Sequence, residues 1–104
     1  MDLNQQEWWD GAQADADAVI LDVRTLQEWN EGIIPGAINI DIFQGQEFIN
    51  AIDALDKTKS YYVYCRSGGR SGNACGLMSQ LGFEKAFNLS GGIMAWDGPL
   101  VAPE

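Results

Sequence analysis

Cys65-Arg66-Ser67-Gly68-Gly69-Arg70-Ser71 brings a nucleophile, two cations, two hydroxyls and two adjacent glycines into one short run. It follows the apolar stretch Tyr61-Tyr62-Val63-Tyr64 and leads into a helical pattern that starts at Ser71. A cysteine at a strand tip and just before a helix meets the partial positive charge and free N–H groups of the helix end. Arg66 and Arg70 add full charges. Such surroundings bring a thiol pKa from about 8.5 into a range of roughly 3.5 to 7.5, where the thiolate is the working nucleophile. Gly68 and Gly69 let the backbone curl so that successive N–H groups point inward as an anion nest. Taken singly, each residue has a plainer reading: a small buried hydrophobe, a Gly-Gly turn, solvated charges. Together they place two of the chain's six basic residues within six positions, which favours a functional loop.

Composition narrows what such a loop can do. The chain has 104 residues, fifteen Asp and Glu against six Lys and Arg, two Cys and no His, for a formal charge of −9. That length supports one domain with one core. Without histidine, neither a Ser-His-Asp triad, nor a Cys-His pair, nor a His-ligated zinc site can be built from this chain. The acidic balance argues against generic binding to nucleic acid or an anionic membrane, both of which attract basic surfaces. Residues 1–4 have no basic segment leading into an apolar run, no apolar window is long enough to span a membrane, and two cysteines ten positions apart do not form a secreted disulfide framework. The expectation is a cytoplasmic protein.

The elements that must carry the loop read as alternating strands and helices. Asn4 with Glu7 fits a capped start of a short helix through Trp8 and Trp9. Residues 18–23 form a continuous apolar run with β-branched members, as in a strand buried on both faces. Residues 25–31 read as one helical segment ended by Gly32, and residues 37–40 as a short strand after the Pro35-Gly36 turn. Phe48, Ala51, Ile52 and Leu55 share one helical face; so do Ala74, Leu77, Met78 and Leu81. Residues 61–65 and 86–89 are further strands, and residues 93–96 a short helix. This alternation predicts an α/β fold with a mainly parallel central sheet and a ligand site beyond the carboxyl ends of its strands.

Read in order, Leu21-Asp22-Val23-Arg24, Glu28-Trp29, residues 32–40, the Cys65 to Ser71 loop, and Leu89-Ser90-Gly91-Gly92 with Trp96 make the sequence resemble the rhodanese homology domain, in particular the small single-domain sulfurtransferases. The resemblance covers nearly the whole chain. It implies a rhodanese-like five-stranded sheet with helices on both faces, and no cofactor. It also implies a two-step transfer in which Cys65 takes a sulfane sulfur from thiosulfate or another donor, becomes a persulfide, and passes the sulfur to cyanide, a thiol or a carrier protein. Arg66 and Arg70 are candidates for the donor's sulfonate oxygens, and the N–H groups of Arg66, Ser67, Gly68, Gly69, Arg70 and Ser71 for holding the persulfide. Related phosphatases and arsenate reductases typically hold a loop one residue longer between Cys and Arg, so the shorter loop favours sulfur transfer over those alternatives. Other relatives have lost the cysteine and only bind partners; retention of Cys65 argues against a purely non-enzymatic module.

Asp22 and Arg24 are charges at the end of a buried strand. They either contact the active loop or fix the strand-to-helix turn, the latter through an Arg24–Glu28 ion pair or backbone hydrogen bonds; Glu28 belongs to the same supporting group. Ile33 stands where the family usually has histidine. Cys75 reads as core packing rather than as a resolving thiol, Gly72 and Gly76 as a face for close helix packing, and Trp29 and Trp96 as core. The −9 divides into +2 over residues 65–70 and −11 elsewhere, predicting a locally positive mouth for a small anionic donor on an acidic body that would attract a basic carrier.

Overall fold

A computed structural model of the chain describes residues 1–103. Five parallel strands form one sheet in the order β1-β5-β4-β2-β3. They are β1 (Asp2–Leu3), β2 (Val19–Asp22), β3 (Ile38–Asn39), β4 (Tyr61–Tyr64) and β5 (Ala86–Leu89). The helices are α1 (Gln5–Ala14), α2 (Leu26–Asn30), α3 (Gln46–Asp53) and α4 (Gly69–Gln80), with 3-10 turns at Ile42–Gln44 and Ile93–Ala95. The expected α/β sheet is therefore present, and all of its strand pairs are parallel. Its fifth strand is the N-terminal Asp2–Leu3, paired with Asn88 and Leu89 of β5.

Side chains alternate across the two central strands, as a period of two requires. Leu21 and Val23, with Tyr61, Val63 and Cys65, point to one face, where Phe48 and Ile52 of α3 and Ala74, Cys75 and Met78 of α4 cover them. Ile20, Tyr62 and Tyr64 point to the other, against Trp8 and Ala12 of α1 with Ile34 and Leu89. Burial on both faces is why these strands read as apolar runs, broken only by Asp22 at the end of β2. Trp8 is the anchor of the second core: it is fully buried, donates from Nε1 to the Phe87 carbonyl at 3.3 Å, and packs edge-on against Tyr62, Tyr64 and Trp96. Its neighbour Trp9 is half-buried, as adjacent helix positions dictate. Trp29 and Trp96 are also half-buried, so the expectation of two core residues is too strong.

Caps set the helix starts. The Asn4 side chain accepts from the Glu7 N–H at 2.9 Å, and α1 continues to Ala14, further than the sequence pattern indicates. Thr25 and Glu28 form a reciprocal capping box on α2. After Trp96 the chain bends at Gly98, and the Val101 and Ile33 backbones exchange hydrogen bonds of 2.9 Å. Ile33 is buried beneath that contact. Among the described residues no helix is long and apolar enough to cross a membrane.

The strand order creates a switch point. The chain leaves β2 toward β3 on one side, then returns to build β4 and β5 on the other. The loops after β2 and β4 therefore flank one crevice at the carboxyl edge, where open α/β sheets bind ligands.

Candidate active site

Cys65 is the first residue after β4, only 1% exposed, at the floor of a loop that ends in α4. The Gly68 N–H donates to its Sγ at 3.1 Å, and the Ser71 hydroxyl lies 3.3 Å away. Burial by itself would push the thiol pKa up. Hydrogen bonds from the Ser71 hydroxyl and from the N–H groups of Ser71, Gly68 and Ser67 outweigh it, and the net shift is downward. Of the backbone donors expected of the loop, the Gly68 N–H makes the direct hydrogen bond to the sulfur. Arg70 feels the developing negative charge of Cys65 across the loop.

Loop shape depends on two glycines. Gly68 has φ +102°, in the left-handed region, and caps α4. Gly92 (φ +62°) lies against the loop so closely that a Cβ there would run into the Arg66 carbonyl and the Ser67 nitrogen. The residues after it hold the loop down: Ile93 N–H donates to the Cys65 carbonyl and Met94 N–H to the Arg66 carbonyl, each at 2.9 Å. Gly69 does not share the role expected of it. It is already in α4 without a positive φ, and a Cβ there meets nothing within 4 Å. Of the two helix glycines, Gly72 packs close to Asn88 while Gly76 faces open space, so the predicted packing face is half present.

Asn88 escaped sequence reasoning, although a lone amide inside the apolar run Ala86-Phe87-Asn88-Leu89 is the signal that marks it. It is buried in β5, next to β4. Its Nδ2 donates to the Gly68 carbonyl at 3.1 Å and to Asp2 Oδ1 at 2.9 Å, while its Oδ1 accepts a short hydrogen bond from Ser71 Oγ. The Ser71 hydroxyl has one proton and two acceptors in reach. With Cys65 as a thiol the chain runs S–H to Oγ, then O–H to Asn88; on ionisation the hydroxyl proton turns to sulfur. Ser71→Ala is expected to move the inflection of Cys65 alkylation by iodoacetamide to higher pH and to slow the reaction severalfold at neutral pH. An unchanged rate-against-pH curve would remove Ser71 from thiolate stabilisation.

The supporting charges pair differently from expectation. Arg24 does not reach Glu28. Its guanidinium is held by Asp22 through Nε (3.0 Å to each carboxylate oxygen) and Nη2 (2.7 Å to Oδ2), and Nη2 also donates to the Gly32 carbonyl at 2.8 Å. Asp22 lies two positions away along extended chain, on the same side, and is fully buried beside an Arg24 only 4% exposed. Asn39 Nδ2 ties the Asp22 and Arg24 carbonyls to β3. These two residues fix the turn, and Arg24 also lines the crevice. Tyr64, buried beneath them, has its hydroxyl pKa raised by burial and by the Asp22 charge, while its oxygen accepts from the Ile34 N–H at 3.2 Å.

Glu28 crosses the crevice to Arg70 in a two-pronged pair, Nη1 to Oε1 at 2.7 Å and Nη2 to Oε2 at 2.8 Å. The hydrogen bonds from Arg70 hold its carboxyl at about 2. A cleft of about 250 Å³ opens beside the pair, lined by Arg24, Glu28, Glu31, Arg66, Ile93 and Met94. The locally positive mouth predicted from residues 65–70 is thus largely cancelled by the carboxylates of Glu28 in α2 and Glu31 at its end. Arg66 is exposed and makes no salt bridge among the described residues. Cys75 packs in the core, where burial pushes its thiol up to about 11.

Fold and site together define a doubly wound α/β domain carrying a cysteine anion loop at its switch point. The chain belongs to the Rhodanese-like domain family, whose sequence model matches residues 5–98. It is 42% identical over 86 residues to a putative sulfurtransferase, YtwF, of Bacillus subtilis, covering 83% of this chain and 80% of that protein. A sulfurtransferase of Allochromatium vinosum is 36% identical over 91 residues, 85% of this chain and 82% of its own. Among solved structures, a rhodanese-like domain protein from Staphylococcus aureus superimposes with a TM-score of 0.82 at 28% identity, over 99% of this chain and 98% of that one.

Proposed function

We propose that this protein is a sulfurtransferase that carries a sulfane sulfur on Cys65. The observation that carries this reading is the Cys65 sulfur at the loop floor, with the Gly68 N–H and Ser71 hydroxyl within hydrogen-bond reach and its pKa lowered by them. The relatives named sulfurtransferases, matched over four-fifths or more of both chains, support the same class.

In the first step the Cys65 thiolate attacks the outer sulfur of a donor such as thiosulfate. A new S–S bond forms, the old one breaks with its electron pair on the leaving group, and sulfite departs. Cys65–S–S⁻ remains, its terminal charge held by the loop N–H groups. In the second step a thiophilic acceptor (cyanide, a thiol or a carrier protein) attacks the terminal sulfur and restores the thiolate. Among the described residues no side-chain base stands beside Cys65; the hydrogen bonds that lower its pKa favour the thiolate instead. A reducing compartment such as the cytoplasm suits a chain whose two cysteines are both free thiols.

Only Arg66, Ser67, Gly68 and Gly69 separate Cys65 from Arg70, a ring suited to one sulfur atom rather than to a tetrahedral oxyanion. The expected result is thiocyanate from a sulfane donor and cyanide, with no hydrolysis of an aryl phosphate. Phosphate release without thiocyanate would transfer the chain to the phosphatase reading.

A further inference from the structure

The crevice holds three cations and three carboxylates. Arg24 is taken by Asp22 and Arg70 by Glu28; exposed Arg66 and Glu31 share the same rim. The Nη1–Nη2 edge of Arg70 is paired with the Glu28 carboxylate, which offsets the charge a sulfonate would meet there and leaves only the remaining N–H donors of the guanidinium. Thiosulfate is a dianion and leaves as sulfite, so an Arg70 offset by a carboxylate gives it less charge compensation than a free one would. Two exposed apolar side chains flank the site: Phe43, 67% exposed, has the Arg70 guanidinium 5.5 Å from its ring centroid, and Met94, lining the cleft, is 66% exposed. The mouth is near neutral and partly apolar.

We propose that Glu28 is a specificity-determining residue that closes Arg70 to dianionic donors and turns Cys65 toward organic hydropersulfides, R–S–SH, whose R group lies on the Phe43 and Met94 side chains. The inference rests on the sulfur-transfer reading. In the step it favours, the Cys65 thiolate bonds to the terminal sulfur and the S–S bond of the hydropersulfide breaks with its electron pair on R–S⁻. The terminal proton passes to R–S⁻, giving R–SH and Cys65–S–S⁻. The sulfane sulfur keeps its oxidation state, and no further reactant is consumed.

Glu28→Gln separates charge from structure. Gln satisfies the capping box with Thr25 as Glu does, so α2 keeps its start while the carboxylate charge disappears. Turnover to cyanide is compared for thiosulfate and for 2-mercaptoethanol hydropersulfide, with a melting curve as the check on folding. The native chain should favour the hydropersulfide by about tenfold in kcat/KM, on the scale of one or two screened charge contacts. Glu28→Gln should raise kcat/KM for thiosulfate about fivefold, mainly through a lower KM, and leave the hydropersulfide value nearly unchanged. Glu31→Gln removes a rim charge at the C-cap of α2, where the cap hydrogen bonds come from the backbone N–H and are kept, and should shift the donor ratio the same way by less. Equal changes for both donors, or no change of the ratio in either variant, would overturn the role of Glu28 while leaving sulfur transfer intact. If neither donor adds sulfur to Cys65 by mass, the sulfur-transfer reading falls and the donor preference with it.

Discussion

Cys65→Ser is expected to reduce thiocyanate formation from any sulfane donor to background, a loss of about 10⁴-fold or more, as when the nucleophile is removed from other covalent enzymes. The substitution keeps size and hydrogen bonding, so the Gly68 N–H and Ser71 hydroxyl retain an acceptor and the loop retains its form. What disappears is the polarisable sulfur, whose ionisation the loop favours. A serine hydroxyl stays protonated at any working pH, and the site has no base to activate it. Circular dichroism should match the native chain, separating chemical loss from misfolding. Cys75→Ser is the matched control: Cys75 sits in the core of α4 with its thiol pushed up to about 11, so activity should persist even if stability falls. Equal activity of the native chain and Cys65→Ser would remove Cys65 from the reaction.

Asp22→Ala is expected to be the most damaging single change to stability, costing about 3–5 kcal/mol, the range for stripping one partner from a buried ion pair. Asp22 is fully buried and Arg24 almost so, and the Asp22 carboxylate receives the Arg24 backbone N–H as well as its guanidinium. Removing it strands a buried cation at the end of a central strand. Urea denaturation should show the loss as a lower midpoint with an unchanged slope. The surface pair Lys57–Asp53 supplies the contrast: its side chains are 35% and 57% exposed, and Asp53→Ala should cost about 1 kcal/mol or less. A small effect at Asp22 would mean that Arg24 finds another partner or water.

Much of the site was legible because its parts are local. The strand of residues 61–64, the cysteine at its tip and the following helix are contiguous, and chain pattern alone locates them. The crevice was legible only as a rule about strand ends. Its pairings were not. Glu28 and Arg70 are 42 positions apart and meet because β2 and β4 are neighbours in the sheet, a fact of strand order that no window of sequence contains. Arg24 and Glu28, by contrast, lie at helical spacing and invite pairing, yet Asp22 is nearer along the extended chain and wins. The two-residue β1 carries too little periodicity to be seen, and it exists through its pairing with β5. Gly68 and Gly69 look equivalent as letters; only backbone angles distinguish the glycine that caps α4 from the one already inside it.

Sulfur bonded to Cys65 is the central claim, and mass spectrometry tests it most directly. The native chain is incubated with a sulfane donor, freed of donor, digested without reductant and mapped. The predicted result is a mass gain of one sulfur atom on the peptide containing Cys65, none on the peptide containing Cys75, and loss of that gain on addition of cyanide with an equal amount of thiocyanate formed. An unmodified Cys65 peptide after exposure to both thiosulfate and a hydropersulfide would contradict it.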